Sequence, residues 1–197
     1  MRGNKKELGF TLPNFSKKNL GGFTLTEILV TIAIIVILSG LIIANSGAGQ
    51  SQLALSRSAN KLAQDIRRAQ EMAMSATICE PCGNVVPPYY GIEFDKNNND
   101  SYFIFADLNG SLKYESLPSP DKKIETITLE KGITIGELLT TAPSNNPNRV
   151  WIGFLSPDPL TSIKGPGDWR STAEITLEGG GQNKKVIVNQ AGLIYVE

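Results

Sequence analysis

The sequence predicts an α+β protein in which a long N-terminal helix, transmembrane in its first half, packs on a C-terminal antiparallel β-sheet head. Three observations lead to this fold class. An apolar run covers residues 23–44, a helical stripe of apolar residues follows it, and short β-branched or aromatic runs separated by turn residues fill the rest of the chain. With 197 residues, the chain is long enough for one domain and an additional segment.

The first segment, residues 1–22, is basic. It contains five Lys or Arg residues and one Glu, a charge of +4 in a chain whose formal net charge is zero, so the remaining residues carry −4. A basic segment before an apolar run is typical of membrane-insertion signals, and its positive charge keeps that end in the cytoplasm. We therefore expect a single-pass protein of the cytoplasmic (inner) membrane with a cytoplasmic N-terminus and an extracytoplasmic head.

The second segment, residues 23–44, has Glu27 as its only charge. A helix of this length rises about 1.5 Å per residue and spans about 33 Å, close to the hydrocarbon thickness of roughly 30 Å. The run is longer than the apolar region of a cleavable secretory signal, which has about 7–15 residues, although Ser46-Gly47-Ala48 offers small residues to a signal peptidase. A secreted or anchored β-domain with a conventional signal is therefore the less favoured alternative.

The third segment, residues 45–76, continues the helix in amphipathic form. Its apolar positions recur at the spacing of one helical stripe, which consists of Leu55, Ala59, Leu62, Ile66, Ala69 and Ala73. We expect this stripe to pack on the head, because the seam of a free coiled coil contains more Leu and Ile. The pairs Lys61/Asp65 and Arg67/Glu71 stand four residues apart and are expected to form supporting ion pairs along the helix.

The fourth segment, residues 77–197, is the β-rich head. Runs rich in β-branched or aromatic residues predict strands at Tyr90–Phe94, Tyr102–Ala106, Ile124–Leu129, Val150–Leu155, Ala173–Leu177, Val186–Val188 and Leu193–Val196. Pro, Gly, Asn and Asp fill the gaps between these runs. The stretches Thr140–Asn148 and Ser156–Trp169 are predicted to be long exposed loops.

The composition of the chain argues against catalysis and against a nucleic-acid partner. The absence of histidine excludes Ser-His-Asp and Cys-His nucleophile systems and histidine-ligated zinc. No set of nucleophile and base, and no set of metal ligands, can be assembled from the head, so we expect no enzyme and no cofactor. The balance of 19 basic and 19 acidic residues lacks the excess of positive charge that nucleic-acid binding usually requires.

One calcium candidate is the segment from Asp95 to Asp100. Asp95, Asn97 and Asn99 have the alternate spacing of the first half of a calcium loop, but Asp100 occupies the place of the turn glycine and Ala106 that of the bidentate Glu. An EF-hand is therefore excluded. We expect a hairpin turn here, and a looser calcium site formed by Asp95, Asn97, Asn99 and Asp100 is the alternative.

Cys79 and Cys82 have the spacing of a redox motif. The chain has no second pair of this kind, and the two cysteines lie at the junction between helix and sheet, outside any thioredoxin-like βαβ unit. In an exported head, a small structural disulfide or two idle thiols is the favoured interpretation over a metal site or redox catalysis.

The junction between the first two segments carries a specific motif. Gly22-Phe23-Thr24-Leu25-Thr26-Glu27, followed directly by the apolar run, resembles the prepilin processing signal of type IV pilins and type II secretion pseudopilins. In that family a membrane aspartyl peptidase cuts after the glycine and methylates the new N-terminal Phe. The resemblance implies cleavage between Gly22 and Phe23, an N-methylated Phe23, a prepilin leader at residues 1–22 and an assembly role for Glu27, the fifth residue of the mature chain.

Two later segments, residues 59–70 and 186–194, are similar to the helix and the final hairpin of H-type minor pseudopilins and FimT-like minor pilins. The resemblance implies a minor structural subunit of a type IV pilus or a type II secretion pseudopilus, located finally in a periplasmic or surface filament. Its implied partners are other pilin or pseudopilin subunits, the prepilin peptidase and the inner-membrane assembly platform. A pilus-tip protein for adhesion or for competence and DNA uptake is the alternative from the binding class.

Overall fold

The computed structural model describes residues 22–116, 120–141, 146–158 and 160–197, with backbone alone for residues 43–48. Residues 1–21 of the expected leader and the side chains of Ser46-Gly47-Ala48 lie outside this description. The chain divides after Ala44 into two compact units. Helix α1, Leu25–Met74, begins in the first unit and ends in the second.

The first unit contains the apolar part of α1. The span Leu25–Ile42 has a mean hydropathy of 2.6, and none of its residues is buried in the chain. Its 18 residues rise about 27 Å as a helix, enough to cross most of a bilayer core. By length and composition this span is a candidate membrane helix, and no other part of the described chain meets that test.

In the second unit, α1 buries the stripe that the sequence predicts. Seven residues on this face are at most 1% exposed, and they are Leu55, Ala59, Leu62, Ala63, Ile66, Ala69 and Ala73. The helix ends because Ala76 adopts a left-handed backbone with φ of 47°. The amide of Ala76 then binds the carbonyl of Ala73 and the amide of Thr77 binds that of Met72, which together form a Schellman cap.

The head contains two antiparallel sheets. The six-stranded sheet has the order β3-β2-β1-β5-β6-β7, and the four-stranded sheet has the order β10-β9-β8-β4. The ten strands are β1 Tyr89–Asp95, β2 Ser101–Asp107, β3 Lys122–Thr128, β4 Thr134–Thr141, β5 Arg149–Leu155, β6 Thr161–Lys164, β7 Trp169–Arg170, β8 Thr172–Gly179, β9 Gln182–Asn189 and β10 Ile194–Val196.

One hydrophobic core joins the helix stripe to one face of each sheet. The six-stranded sheet contributes Ile92, Ile104 and Ile152, among others, and the four-stranded sheet contributes Ile175 and Val188. Successive residues of a strand point to opposite faces, so each sheet also has an outer face directed away from this core. The α+β fold class and the packing of the helix stripe on the head are therefore confirmed.

The predicted loops are wrong in part. The stretch Ser156–Trp169 contains all of β6 and the first residue of β7, and Thr140–Asn148 begins inside β4. Residues 142–145 and 159 lie outside the described parts. The sequence does not predict β4, because its pairing with β8 shifts register between Ile135 and Glu137. This shift breaks the alternation of apolar residues along the strand. Strand β6 is also not predicted, because its four residues are too few to show a pattern.

The expected ion pairs along the helix are also wrong, because one member of each pair, Asp65 or Arg67, contacts the head instead. Asp65 accepts a hydrogen bond of 2.6 Å from the Tyr102 hydroxyl, and Arg67 donates one of 2.8 Å to the carbonyl of Ile194. On the exposed flanks, Arg57 binds Glu130 at 2.8 Å and Arg68 binds Glu125 at 2.6 Å. The helix is thus held to the head by polar contacts at its edges as well as by its apolar stripe.

A second, smaller apolar cluster lies on the outer face of the six-stranded sheet. It is formed by Phe103, Phe105 and Trp151, with Tyr114 packed against it. The loop after β2 covers part of this face because the buried carboxylate of Asp107 binds the amides of residues 109, 110 and 112. Leu112 is fully buried on the sheet, above Gly153.

Gly153→Ala should destabilise the head, because a Cβ there would come within 1.9 Å of Leu112 Cδ1. Overpacking of this kind costs about 1–3 kcal/mol, which we expect to see as a lower thermal unfolding midpoint of the full chain in detergent. Gly167→Ala is the matched control, because a Cβ at Gly167 has no atom within 4 Å. Equal midpoints for both variants would show that Leu112 does not pack on Gly153.

Candidate functional site

The candidate site is the start of α1, where Thr24 caps the helix. The Thr24 hydroxyl accepts a hydrogen bond of 3.3 Å from the amide of Glu27, and the Thr24 carbonyl accepts bonds of 3.1 and 3.2 Å from the amides of Glu27 and Ile28. A Thr at this position satisfies amide groups that the first helical turn leaves without partners. The helix therefore begins two residues later than the residue-23 start that the sequence predicts.

The junction between Gly22 and Phe23 lies outside the helix. Both residues are exposed, and Phe23 retains 79% of its surface. A Cβ placed on Gly22 would meet no atom within 4 Å, so the fold itself does not require glycine there. A protease can bind an exposed peptide bond that is not part of a helix. The Gly22-Phe23 junction is therefore accessible to proteolysis.

Glu27 is the third residue of the helix and the only acidic residue of its first turn. The amino end of a helix carries a partial positive charge, so a carboxylate in this turn is stabilised. Thr24 and Glu27 also have the T-x-x-E spacing of a capping box. The structure shows the Thr24 half of such a box, in which the Glu27 amide binds the Thr24 hydroxyl. This cap was not among the sequence predictions, although its spacing is visible in the sequence.

The calcium candidates have partners within the protein. Asp95 caps a short 3-10 turn, and its carboxylate accepts hydrogen bonds of 2.9 Å from the Asn97 amide and 3.0 Å from Arg149 Nε. Burial raises the pKa of Asp95, but these hydrogen bonds outweigh it and hold the pKa below the ordinary value. Asp100 accepts a bond of 2.9 Å from the Ser101 hydroxyl. In the described parts of the chain, no three Asp, Glu or Cys side chains are grouped to hold a metal ion.

Cys79 and Cys82 are joined by a disulfide. The bond closes a small hairpin between the helix and β1, in which Cys79 pairs with Val85 across an isolated bridge. Backbone hydrogen bonds support the same turn independently, because the Cys79 carbonyl accepts from the amides of Cys82 and Asn84 at 3.1 Å each. The disulfide thus reinforces a turn that the backbone already defines.

Comparison with known families finds a match at the start of α1. A family model described as the prokaryotic N-terminal methylation motif matches residues 17–43, which include the Gly22-Phe23 junction, Glu27 and the candidate membrane span. No curated protein and no solved structure gives a significant match to the chain. The matched motif is the signal of type IV pilins and pseudopilins and points to a structural subunit of that kind.

Replacing both Cys79 and Cys82 by Ser should leave the head folded. A disulfide across two intervening residues closes a loop so short that its entropic contribution is only about 2 kcal/mol or less. We expect unchanged circular dichroism and a slightly lower thermal midpoint for the full chain in detergent. The single variant Cys82→Ser, compared under reducing conditions, controls for the loss of the thiol itself. A head that unfolds in the double variant would make the disulfide essential for the fold.

Proposed function

We propose that the protein is a minor structural subunit of a type IV pilus or a type II secretion pseudopilus. In this proposal the prepilin peptidase processes it and it assembles by helix packing. The observation that carries the proposal is the exposed apolar span Leu25–Ile42, which lies within the matched N-terminal methylation motif of residues 17–43. Such a span needs lipid or other apolar helices as its surroundings, and a pilin subunit uses both in turn.

The charge distribution supports processing on the cytoplasmic side. The net charge of +4 on residues 1–22 favours retention of that end in the cytoplasm, which places the Gly22-Phe23 junction at the same membrane surface. Thr24 starts the helix just beyond this junction, so the two residues at the cleavage point stay outside the helix. The peptidase then releases a positively charged amine on Phe23 and methylates it.

The position of Glu27 supports an assembly role. A carboxylate at the centre of a membrane costs about 2.5–3.5 kcal/mol on insertion scales, and less near the edge, where Glu27 lies. The new amine of a neighbouring subunit supplies an opposite charge when both helices leave the lipid. Because breaking a charged pair in apolar surroundings costs about 3–5 kcal/mol, this pair would favour a single axial register between subunits.

These roles imply three kinds of partner: other pilin or pseudopilin subunits, the prepilin peptidase and the inner-membrane assembly platform. The span Leu25–Ile42 anchors the protein in the inner membrane before assembly. The head then lies outside the cytoplasm, and the assembled protein lies in a periplasmic or surface filament. Neither a catalytic role nor a nucleic-acid partner forms part of the proposal.

Processing predicts that the mature chain begins at Phe23 and carries one added methyl group. Intact-mass measurement of the protein from cells that contain the peptidase tests this directly. Gly22→Val should block cleavage and Gly22→Ala should be cut, since the peptidase of this family reads a small residue and the fold tolerates either side chain. A mature start at Gly49, after Ser46-Gly47-Ala48, would instead indicate a secreted β-domain.

Glu27→Ala should still insert in the membrane and be cut after Gly22, but its assembled fraction in sheared filaments should fall strongly. The matched control is Thr24→Ala, which removes the helix cap, at a cost of about 1 kcal/mol, and keeps the carboxylate. If Glu27 acted only by capping the helix, both variants would assemble equally. Normal assembly of Glu27→Ala would contradict the register role, and loss of cleavage alone would place Glu27 in peptidase recognition.

A further inference from the structure

The loop after β2 carries an exposed asparagine at its tip. Asn109 and Gly110 are both exposed, and Gly110 forms the turn with a left-handed backbone whose φ is 76°. A Cβ placed on Gly110 would meet no atom within 4 Å. The tip of this loop therefore has open space beside it.

The buried base of the loop holds this tip in place. Asp107 Oδ1 accepts hydrogen bonds of 3.0 Å from the Asn109 amide and 2.7 Å from the Gly110 amide, and Asp107 Oδ2 accepts one of 2.6 Å from the Leu112 amide. Asp107 and Leu112 are fully buried. The loop is thus anchored by its backbone amides and by Leu112, while the side chain of Asn109 lies on the solvent side.

The carboxamide of Asn109 closes an Asx turn. Its Oδ1 accepts a hydrogen bond of 2.8 Å from the Ser111 amide, and its Nδ2 donates one of 3.1 Å to Glu115 at the surface. The Ser111 hydroxyl lies in the same loop, where it bonds to backbone groups of Lys113. A carboxamide and a hydroxyl two residues apart therefore share one surface turn.

Asn109-Gly110-Ser111 is one of three Asn-x-Ser sequences in the chain, and the others are Asn14-Phe15-Ser16 and Asn99-Asp100-Ser101. Asn-x-Ser or Asn-x-Thr, in which x is not Pro, is the acceptor sequence of N-linked glycosylation in the surface loops of exported proteins. The proposed function places Asn14 in the cytoplasmic leader and the head outside the cytoplasm. Two acceptor sequences therefore remain, both in the head.

The fold distinguishes these two sequences. Ser101 belongs to β2 and is only 8% exposed, and its hydroxyl is held by Asn98 Nδ2 at 2.8 Å and Asp100 Oδ1 at 2.9 Å. A transferase that reads the hydroxyl of the third residue would have to separate β2 from its neighbours to reach Ser101. Ser111 lies in the loop beyond β2, so the structure favours Asn109 over Asn99.

We propose that Asn109 is the acceptor of an N-linked glycan, transferred from a lipid diphosphate-linked oligosaccharide on the extracytoplasmic side of the membrane. Asn109 Nδ2 forms a bond to C1 of the first sugar. The bond between this C1 and the diphosphate oxygen breaks, the lipid diphosphate leaves, and one Nδ2 proton passes to a base of the transferase. The inference rests on the proposed function for the location of the head outside the cytoplasm.

A glycan at Asn109 also constrains the neighbours of the head. A glycan is bulky and solubilising, so a modified Asn109 needs solvent beside it. The loop after β2 would then lie at the surface of the filament, and subunit contacts would use other parts of the head.

Peptide mapping of the full-length protein, purified from the cells that naturally make it, tests the inference. Trypsin releases residues 97–113 as one peptide, which contains both Asn99 and Asn109. We expect this peptide to carry an added glycan mass and fragmentation to place that mass on Asn109. Ser111→Ala should lower the modified fraction about tenfold or more, whereas Ser111→Thr keeps the hydroxyl and should retain it. Ser101→Ala is the matched control and should leave the modification unchanged.

Two measurements on the same sample separate the inference from the proposed function. The N-terminal peptide reports processing, and the peptide of residues 97–113 reports the modification. An unmodified Asn109, a glycan on Asn99 instead, or equal modification of Ser111→Ala would each overturn the acceptor role, and a mature start at Phe23 would leave the subunit role intact. A chain that retains residues 1–22 would contradict the proposed processing, and a glycan on Asn109 of that chain would still support the acceptor role.

Discussion

The proposed subunit role depends on apolar helix surface that the described residues of the chain do not cover. From Leu25 to Ile42, no residue is buried, whereas seven residues further along the same helix are at most 1% exposed. An apolar surface of this size in water is strongly unfavourable, at roughly 25 cal/mol per Å². The span therefore requires lipid or other helices, and it lies within the matched N-terminal methylation motif of residues 17–43.

The head, by contrast, buries apolar side chains within its own core. Its core combines the helix stripe with the inner faces of both sheets, and polar contacts such as Asp65 with Tyr102 fix the helix at its edges. The outer face of the six-stranded sheet has its own small cluster, closed by Leu112 above Gly153.

The sequence predicts those parts of the fold in which burial has a regular period. The stripe from Leu55 to Ala73 follows the helical period, and strands such as β1 and β5 are short runs rich in β-branched or aromatic residues. Strand β4 was missed because a register shift at Gly136 interrupts its alternation. The partners of Asp65 and Arg67 were missed because they are set by the approach of distant strands, which local spacing does not encode. At the candidate site, the motif from Gly22 to Glu27 is visible in the sequence, whereas the helix start at Leu25 needed the structure.

The most direct test of the central claim is to ask what surrounds Leu25–Ile42 before and after assembly. A lipid-soluble diazirine probe is photoactivated in membranes and again with sheared filaments, and the labelled residues are mapped by mass spectrometry. The account predicts labelling along Leu25–Ile42 in membranes and strong protection of the same residues in filaments. A span that is unlabelled in membranes, or equally labelled in filaments, would contradict the transfer of this helix from lipid to a helical filament core.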